Sequence, residues 1–362
     1  MLHCKYYGKK GVNPVKVTIN DIAKAANVAK STVSKVLNDS PNISDATKER
    51  IRAIMKEMNY IPSSIATGLA KRRCNNIALM IDLSRRHDFL NNFFYNIIGG
   101  VESIVGPQNY DLTICNVAQG ESRKFLNRYA LSQKADGIII DNSILDKETA
   151  ADLEKLKFPF VVLGDLHTKQ KFHSVDIDNR YGAQKITEHL LAEGYRRIAF
   201  IGGQKNESLF LRRFAGYSDK LRLEGLGVNP VWCFPEGNDE ENGYEIINKM
   251  LTLPIIPDAI ICINNYVAFG ALRRLQEEGI SVPKDIGIVT FDNEPLAPYT
   301  TPPLTSLHMD TFELGVKSAE VLMDIIQDYG LSNKEETEIE GATFQTWIEP
   351  QLVVRGSSVR SK

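Results

Sequence analysis

Residues 17–61, VTINDIAKAANVAKSTVSKVLNDSPNISDATKERIRAIMKEMNYI, carry three helical signatures in close succession. Thr18-Ile19-Asn20-Asp21 has the form of a capping box, with Thr18 placed to cap a helix and Asp21 near its positive end. Ile19, Ile22, Ala23 and Ala26 follow the i, i+3, i+4, i+7 spacing of one buried helical face. Asn27 is a residue type that can leave a helix in the left-handed conformation. Val33, Val36 and Leu37 open a second apolar series a few residues later, so two short helices meet at a tight turn. A third starts at Ser44, with Asp45 and Thr47 in its first turn. Ile51, Ile54, Met55 and Met58 form its inner face before Pro62 interrupts. Three short helices around one small core make a helix-turn-helix unit.

In such a unit the second helix enters the major groove and the residues near its start face base edges. Here they are Lys30, Ser31, Thr32 and Lys35. Lysine can donate to the acceptors of guanine, and Ser and Thr hydroxyls can hold bases or phosphates. A helical hairpin with merely solvated lysines is the competing reading. Charge bears on the choice: residues 1–73 hold 14 Lys+Arg against 5 Asp+Glu, or +9, and residues 74–362 carry −11, beneath a net charge of −2. A basic head on an acidic body suits a polyanion-binding module fused to a body with another task.

The body, from residue 76, alternates apolar runs with amphipathic stretches. The runs are 77–83, 111–117, 136–141, 158–164, 197–203, 258–264 and 285–292, each read as a buried strand. Helical segments are expected at 93–105, 121–133, 179–194, 211–225 and 266–279. This rhythm implies parallel sheets covered on both faces, and its length implies two doubly wound α/β lobes. Ligands in such folds sit beyond the carboxyl ends of strands. Asp82, Asn264 and Asp292-Asn293-Glu294 end strands there, Arg213 follows Gly202-Gly203, and Phe93 or Phe94 can supply an aromatic face. That mixture suits a polyhydroxyl ligand, whose hydroxyls each donate and accept. Polar strand ends that merely cap helices are the alternative.

Composition excludes other classes. The 362 residues, at roughly 150 per domain, allow two or three domains. No apolar run nears the roughly 18 residues of a membrane span. Residues 1–16 are basic and lack the apolar core of a secretory signal, so the expected location is the cytoplasm. Cys4, Cys74, Cys115, Cys233 and Cys262 are odd in number and scattered, which suits reduced thiols. There is no G-x-x-x-x-G-K-[ST], G-x-G-x-x-G after a strand, H-E-x-x-H or G-x-S-x-G, so no enzyme, cofactor or metal is expected.

The stretch from Val17 to Arg73, continuing through PSSIATGLAKRR, resembles the DNA-binding head and hinge of the lactose-repressor (LacI/GalR) family of bacterial transcription regulators. The resemblance implies a hinge helix that pairs with its dimer mate and pushes a leucine into the minor groove. By position that leucine is Leu69, with Ser63, Ala66 and Thr67 on the same helix. An apolar wedge of this kind kinks DNA and exposes it to more protein surface. The implied DNA-contacting set is Thr18, Lys30, Ser31, Thr32, Lys35, Asn38, Ser63 and Leu69. The chain departs from the family pattern at Ala29, where a serine N-cap is usual, at Lys35, where arginine is usual, and at Gly68 beside the wedge.

The body is similar to the family's effector-binding core, of periplasmic-binding-protein type. FLNNFFYNIIGGVES, VDIDNRYGAQKITEHLLAEGYRRIAFIGG, RRFAGY, INNYVAFGALRRLQEEGISVPKDIGIVTFDNEP, YTTPPLTSLHMD and PQLVVRGS carry that similarity. It implies an effector set of Asp82, Phe94, Arg213, Asn264 and Asp292. Asn265 stands where the family often has Asp, and Ser84-Arg85-Arg86-His87 is a basic loop that either greets an anionic ligand or is simply solvated. The implied organisation is a basic extension 1–16, a helix-turn-helix domain 17–61, a hinge 62–75, two lobes over 76–357 and a tail 358–362. No leucine heptad follows PQLVVRGS, so a homodimer is expected. The implied function is a repressor that binds double-stranded DNA at a near-palindromic operator under control of a small carbohydrate. A stand-alone carbohydrate-binding protein of a transport system is the rival.

Overall fold

The computed structural model describes residues 17–60, 73–83, 92–118, 120–164, 172–293, 295–331 and 345–360. The chain divides into one unit ending at Asn75 and another starting at Asn76.

The first unit holds α1 (Ile19–Ala25), α2 (Lys30–Leu37) and α3 (Asp45–Glu57). The Asp21 carboxylate accepts from the Thr18 backbone N–H at 2.9 Å and from its hydroxyl at 2.7 Å, which fixes the start of α1. Asn27 turns the chain out of α1 with φ 51°, the left-handed exit its residue type allows. Ala29 opens α2 without a side-chain cap. Ile22, Val33 and Ile51 are fully buried and, with Ala26, Val36 and Met55, form the small shared core. Residues 1–16 and the hinge positions Ser63, Ala66, Thr67, Gly68 and Leu69 lie outside the described residues.

The second unit is built on two six-stranded sheets. The first contains β1 (Asn76–Ile81), β2 (Asp111–Asn116), β3 (Gly137–Asp141), β4 (Phe160–Leu163), β5 (Ser174–Ile177) and β11 (Gln345–Ile348), all parallel, in the order β11-β5-β4-β3-β1-β2. The second contains β6 (Ile198–Ile201), β7 (Cys233–Phe234), β8 (Ala259–Cys262), β9 (Gly287–Phe291), β10 (Thr305–His308) and β12 (Gln351–Val353), in the order β12-β10-β9-β8-β6-β7. Only β12, paired to β10, runs antiparallel in it. Each sheet therefore has a doubly wound order whose direction reverses between β1 and β3 in one lobe and between β6 and β8 in the other.

All seven apolar runs became strands. Their burial is not uniform: β2 is an edge strand with one neighbour, and its Ile114 is 45% exposed. Around the sheets lie α4 (Asn92–Val105), α5 (Ser122–Leu126), α6 (Lys147–Lys155), α7 (Asn179–Ala192), α8 (Ser208–Leu223), α9 (Glu240–Leu251), α10 (Asn265–Glu277) and α11 (Thr311–Leu331). The segment expected as one helix over 121–133 is α5 followed by a π-helical turn, Asn127–Leu131. Among the described residues no helix is long and apolar enough to cross a membrane.

The chain passes between the lobes three times, from β5 to α7, from β10 to α11 and from β11 to β12. The first and third crossings are joined where the Asp178 N–H donates to the Ile348 carbonyl at 2.9 Å. Ser357, the last residue of the expected lobes, and Ser358, the first of the expected tail, are fully buried. The Ser357 hydroxyl donates to the Ile288 carbonyl at 2.6 Å, and the Arg360 guanidinium lies 4.0 Å from the Tyr195 ring centroid. These last residues belong to the packing of the second lobe.

Candidate ligand site and nucleic-acid interface

On the first unit, Thr18, Lys30, Ser31, Lys35 and Asn38 are exposed and Thr32 is half-buried. Burial of Val33 and Val36 directs the opposite face of α2, with Lys30, Ser31 and Lys35, outward. The Asn38 amide donates to the Ser34 carbonyl at 3.0 Å and so closes the end of α2.

On the second unit, the strand ends converge on Arg213 of α8, which is 3% exposed. Its Nε donates to Asn179 Oδ1 at 2.9 Å, Nη1 donates to the Ile263 carbonyl, and Nη2 lies 3.4 Å from Met309 Sδ. The guanidinium centre stands 4.0 Å from the Phe291 ring centroid. A buried cation is tolerable only with its donors satisfied and counter-charge close by. Burial lowers the Arg213 pKa to about 10, against the opposing pull of Asp292 and Asp176. It stays cationic at neutral pH.

Four carboxylates interact with that cation directly or in sequence. Asp292 leaves β9 with φ 67°, a left-handed turn that Asp tolerates better than most residues. Burial raises its pKa and Arg213 opposes the rise. Asp176, on β5 of the other lobe, is pushed up to about 7 by burial; its bond from the Ile177 N–H and the charge of Arg213 pull it down, while Asp141 and Asp178 raise it. Asp141 ends β3 and is raised by burial, with hydrogen bonds from Ser143 opposing and the charge of Asp82 adding to the rise. The result is a line of interacting charges, Asp82, Asp141, Asp176, Arg213 and Asp292, spanning both lobes. Asp82 and Asp141 flank the point where the first sheet reverses direction, the place where such folds bind ligands.

Of the five effector residues expected from sequence, the structure pairs Arg213 with Asp292 and sets Asp82 beside Asp141 at the far end of this line. Phe94 is half-buried on the first turn of α4, edge-on to Phe93 with ring centroids 5.2 Å apart. Asn264 caps a helix: its Oδ1 accepts from the Val267 N–H at 2.9 Å at the start of α10, and its Nδ2 donates to the Asn238 carbonyl at 2.9 Å. Asn293 turns away to accept from Arg355 at 2.6 Å. Glu294 and residues 84–87 lie outside the described residues. Asp141, Asp176, Asn179 and Met309 were not anticipated. Asp141 ends its run as Asp82 and Asp292 end theirs, so the strand-end rule could have found it; Asp176, inside a short strand, offered no such signal.

Two family models match the chain: bacterial regulatory proteins of the lacI family over residues 18–63, and the periplasmic binding protein-like domain over residues 187–358. The HTH-type transcriptional repressor PurR of Aliivibrio salmonicida is 31% identical over 314 residues, covering 86% of this chain and 92% of that protein. PurR of Actinobacillus pleuropneumoniae is 30% identical over 344 residues, covering 94% and 98%. Among solved structures, the lac repressor dimer bound to operator and the anti-inducer ONPF superposes with a TM-score of 0.78 at 26% identity, covering 95% of this chain and 99% of that one. The transcriptional regulator CelR in complex with cellobiose gives 0.69 at 26% identity, covering 94% and 99%. A LacI family regulator from Enterococcus faecium with bound ribose gives 0.65 at 25% identity, covering 79% and 100%.

Proposed function

The chain belongs to the lacI family of bacterial regulatory proteins, and we propose that it acts as a homodimeric repressor whose effector is a small carbohydrate held between the two lobes. It is a DNA-binding transcriptional regulator that responds to a small molecule, not an enzyme. The observation that carries the carbohydrate reading is the buried Arg213, with carboxylates reaching it from both lobes. Such groups match ligand hydroxyls that both donate and accept. The cellobiose and ribose bound by CelR and by the Enterococcus faecium regulator support the same class.

Lys30, Ser31, Thr32 and Lys35 read bases and phosphates in the major groove, and Leu69 is the minor-groove wedge of each hinge. Two hinges enter one minor groove only at a particular spacing of the paired lobes. An effector that bridges Arg213 to Asp82 and Asp292 changes that spacing. If it binds the DNA-free arrangement about 100-fold better, the coupling is about 2.7 kcal/mol, enough to release most operators. The protein then works in the cytoplasm, where the DNA is.

Fluorescence anisotropy of the full chain against its own upstream DNA, at fixed salt, tests this with a panel of mono- and disaccharides, their phosphates and free nucleobases. A specific complex that one sugar dissolves or tightens is the expected result. A complex that answers only to a non-carbohydrate removes the sugar, and absence of any specific complex removes the repressor.

A further inference from the structure

Arg213 is adjacent in sequence to a second arginine with a different partner. The Arg212 guanidinium, on α8 of the second lobe, lies 4.6 Å from the ring centroid of Trp347, on β11 at the edge of the first lobe's sheet. Trp347 is 40% exposed, so its indole does not fill the first lobe's core. Arg212 is half-buried, and burial lowers its pKa. A guanidinium over an indole face is the most favourable cation–π pairing, and partial burial strengthens it.

The position of this pair gives it a consequence beyond local packing. Trp347 precedes Ile348, whose carbonyl accepts from the Asp178 N–H at 2.9 Å. Asp178 precedes Asn179, whose Oδ1 accepts from Arg213 Nε at 2.9 Å. Arg213 follows Arg212 on one helix. The contacts therefore close a ring that runs through the first and third crossings between the lobes and through the effector arginine. A rotation of one lobe on the other bends the chain at those crossings, and the ring must stretch or open.

We propose that Arg212 and Trp347 form a cross-lobe strap, a pair of positioning residues that holds Arg213 to the crossings and sets the balance between the two lobe arrangements, hence operator affinity. The inference rests on the reading of lobe rotation as the control of DNA binding. It does not require the effector to be a sugar.

A double-mutant cycle on the full chain tests it. Arg212→Gln and Trp347→Leu should each change the dissociation constant for the protein's own upstream DNA, at fixed salt, by about three- to tenfold in the same direction. The double variant should go no further than the larger single change. Trp347→Phe, which keeps a ring face, should retain wild-type affinity. The chain's only other tryptophan is Trp232, whose Nε1 donates to the Ile255 carbonyl at 3.2 Å, away from both crossings. In a Trp232→Phe background all indole emission comes from Trp347, and saturating DNA should shift it; Arg212→Gln should abolish that shift. Unchanged or additive dissociation constants, with only the melting temperature lowered, would overturn the strap and leave the pair as packing. Wild-type protein that binds its DNA but answers no sugar removes the carbohydrate reading and leaves this one standing.

Discussion

Asp176 is a buried carboxylate whose environment opposes its charge. Burial raises its pKa from 3.8 to about 7, so folding favours its protonated form. A raised folded-state value means the stabilising contribution is fully present below the unfolded value near 3.8 and is lost as pH rises through about 7. Asp176→Asn removes that dependence. The melting temperature of Asp176→Asn minus that of the wild type should therefore climb between pH 5 and pH 8, and a flat difference would contradict the burial. His173 and His189 act in the opposite sense in both proteins: burial lowers their pKa below 6.5, so their contribution is present above 6.5 and is lost as pH falls below it. The subtraction cancels them. Arg213 yields a second prediction. Lysine keeps the charge but loses the fork that serves Asn179 and the Ile263 carbonyl together. Because the Asn179 contact is also a link of the ring through the crossings, Arg213→Lys should shift operator affinity by no more than the three- to tenfold expected of the strap variants, while its effector-induced change in affinity falls at least tenfold, as read by anisotropy. At this scale the sequence marked polar groups that coincide with a strand end, as at Asp82 and Asp292. It was silent at Asp176, which interacts with a charge from the other lobe, and it did not show that the Asn264 amide also caps a helix.

Between elements, the tightest constraint is the crossing of α9 and α10. A Cβ added to Gly270 would stand 1.9 Å from the Glu240 carbonyl oxygen, and one added to Gly243 would stand 2.1 Å from that of Val267. The two helices touch backbone to backbone, and neither side can yield. Gly270→Ala should cost about 1–3 kcal/mol or more by denaturant unfolding. Gly227, with nothing within 4 Å of an added Cβ, provides the control, and Gly227→Ala should be close to neutral. A loss at Gly270 no larger than that at Gly227 would show that the helices shift to make room and that the contact does not decide. The strands found from sequence were those with continuous apolar runs, most of them buried from both faces as at Ile198–Ile201, with the edge strand β2 the exception. Those missed, β5, β7, β10, β11 and β12, span two to four residues, and all but the two-residue β7 mix polar with apolar side chains. Their pairing partners are distant, as where Gln345 meets Ser174. Local periodicity cannot register a strand defined by such a partner.

The division of labour in the whole molecule was legible from charge and pattern, because each unit closes its own core: one around Ile22, Val33 and Ile51, the other around the two sheets. The way the two lobes share the chain was not, since α11 and β11 return to the first lobe only after most of the second is complete. Separate cores allow the two activities to be separated. A fragment of residues 74–362 lacks the +9 head and retains both sheets, the three crossings and the line of charges from Asp82 to Asp292. It should melt cooperatively and bind whichever effector the full chain answers to, within about threefold in affinity. Linkage makes that comparison informative. If the head acts on the balance between lobe arrangements only through bound DNA, its removal leaves the effector dissociation constant in place. The fragment should bind neither operator nor unrelated duplex, because an acidic surface of net −11 has no counterions to release from the phosphates. The full chain should show a linear fall of log affinity with log salt, about 0.9 for each phosphate it neutralises. Lys35→Ala should reduce that slope by about one if Lys35 holds a phosphate, and relax sequence preference at one base pair if it reads a base. Residual DNA binding by the fragment would place part of the DNA-binding surface on the lobes, and the head could no longer be the sole reader.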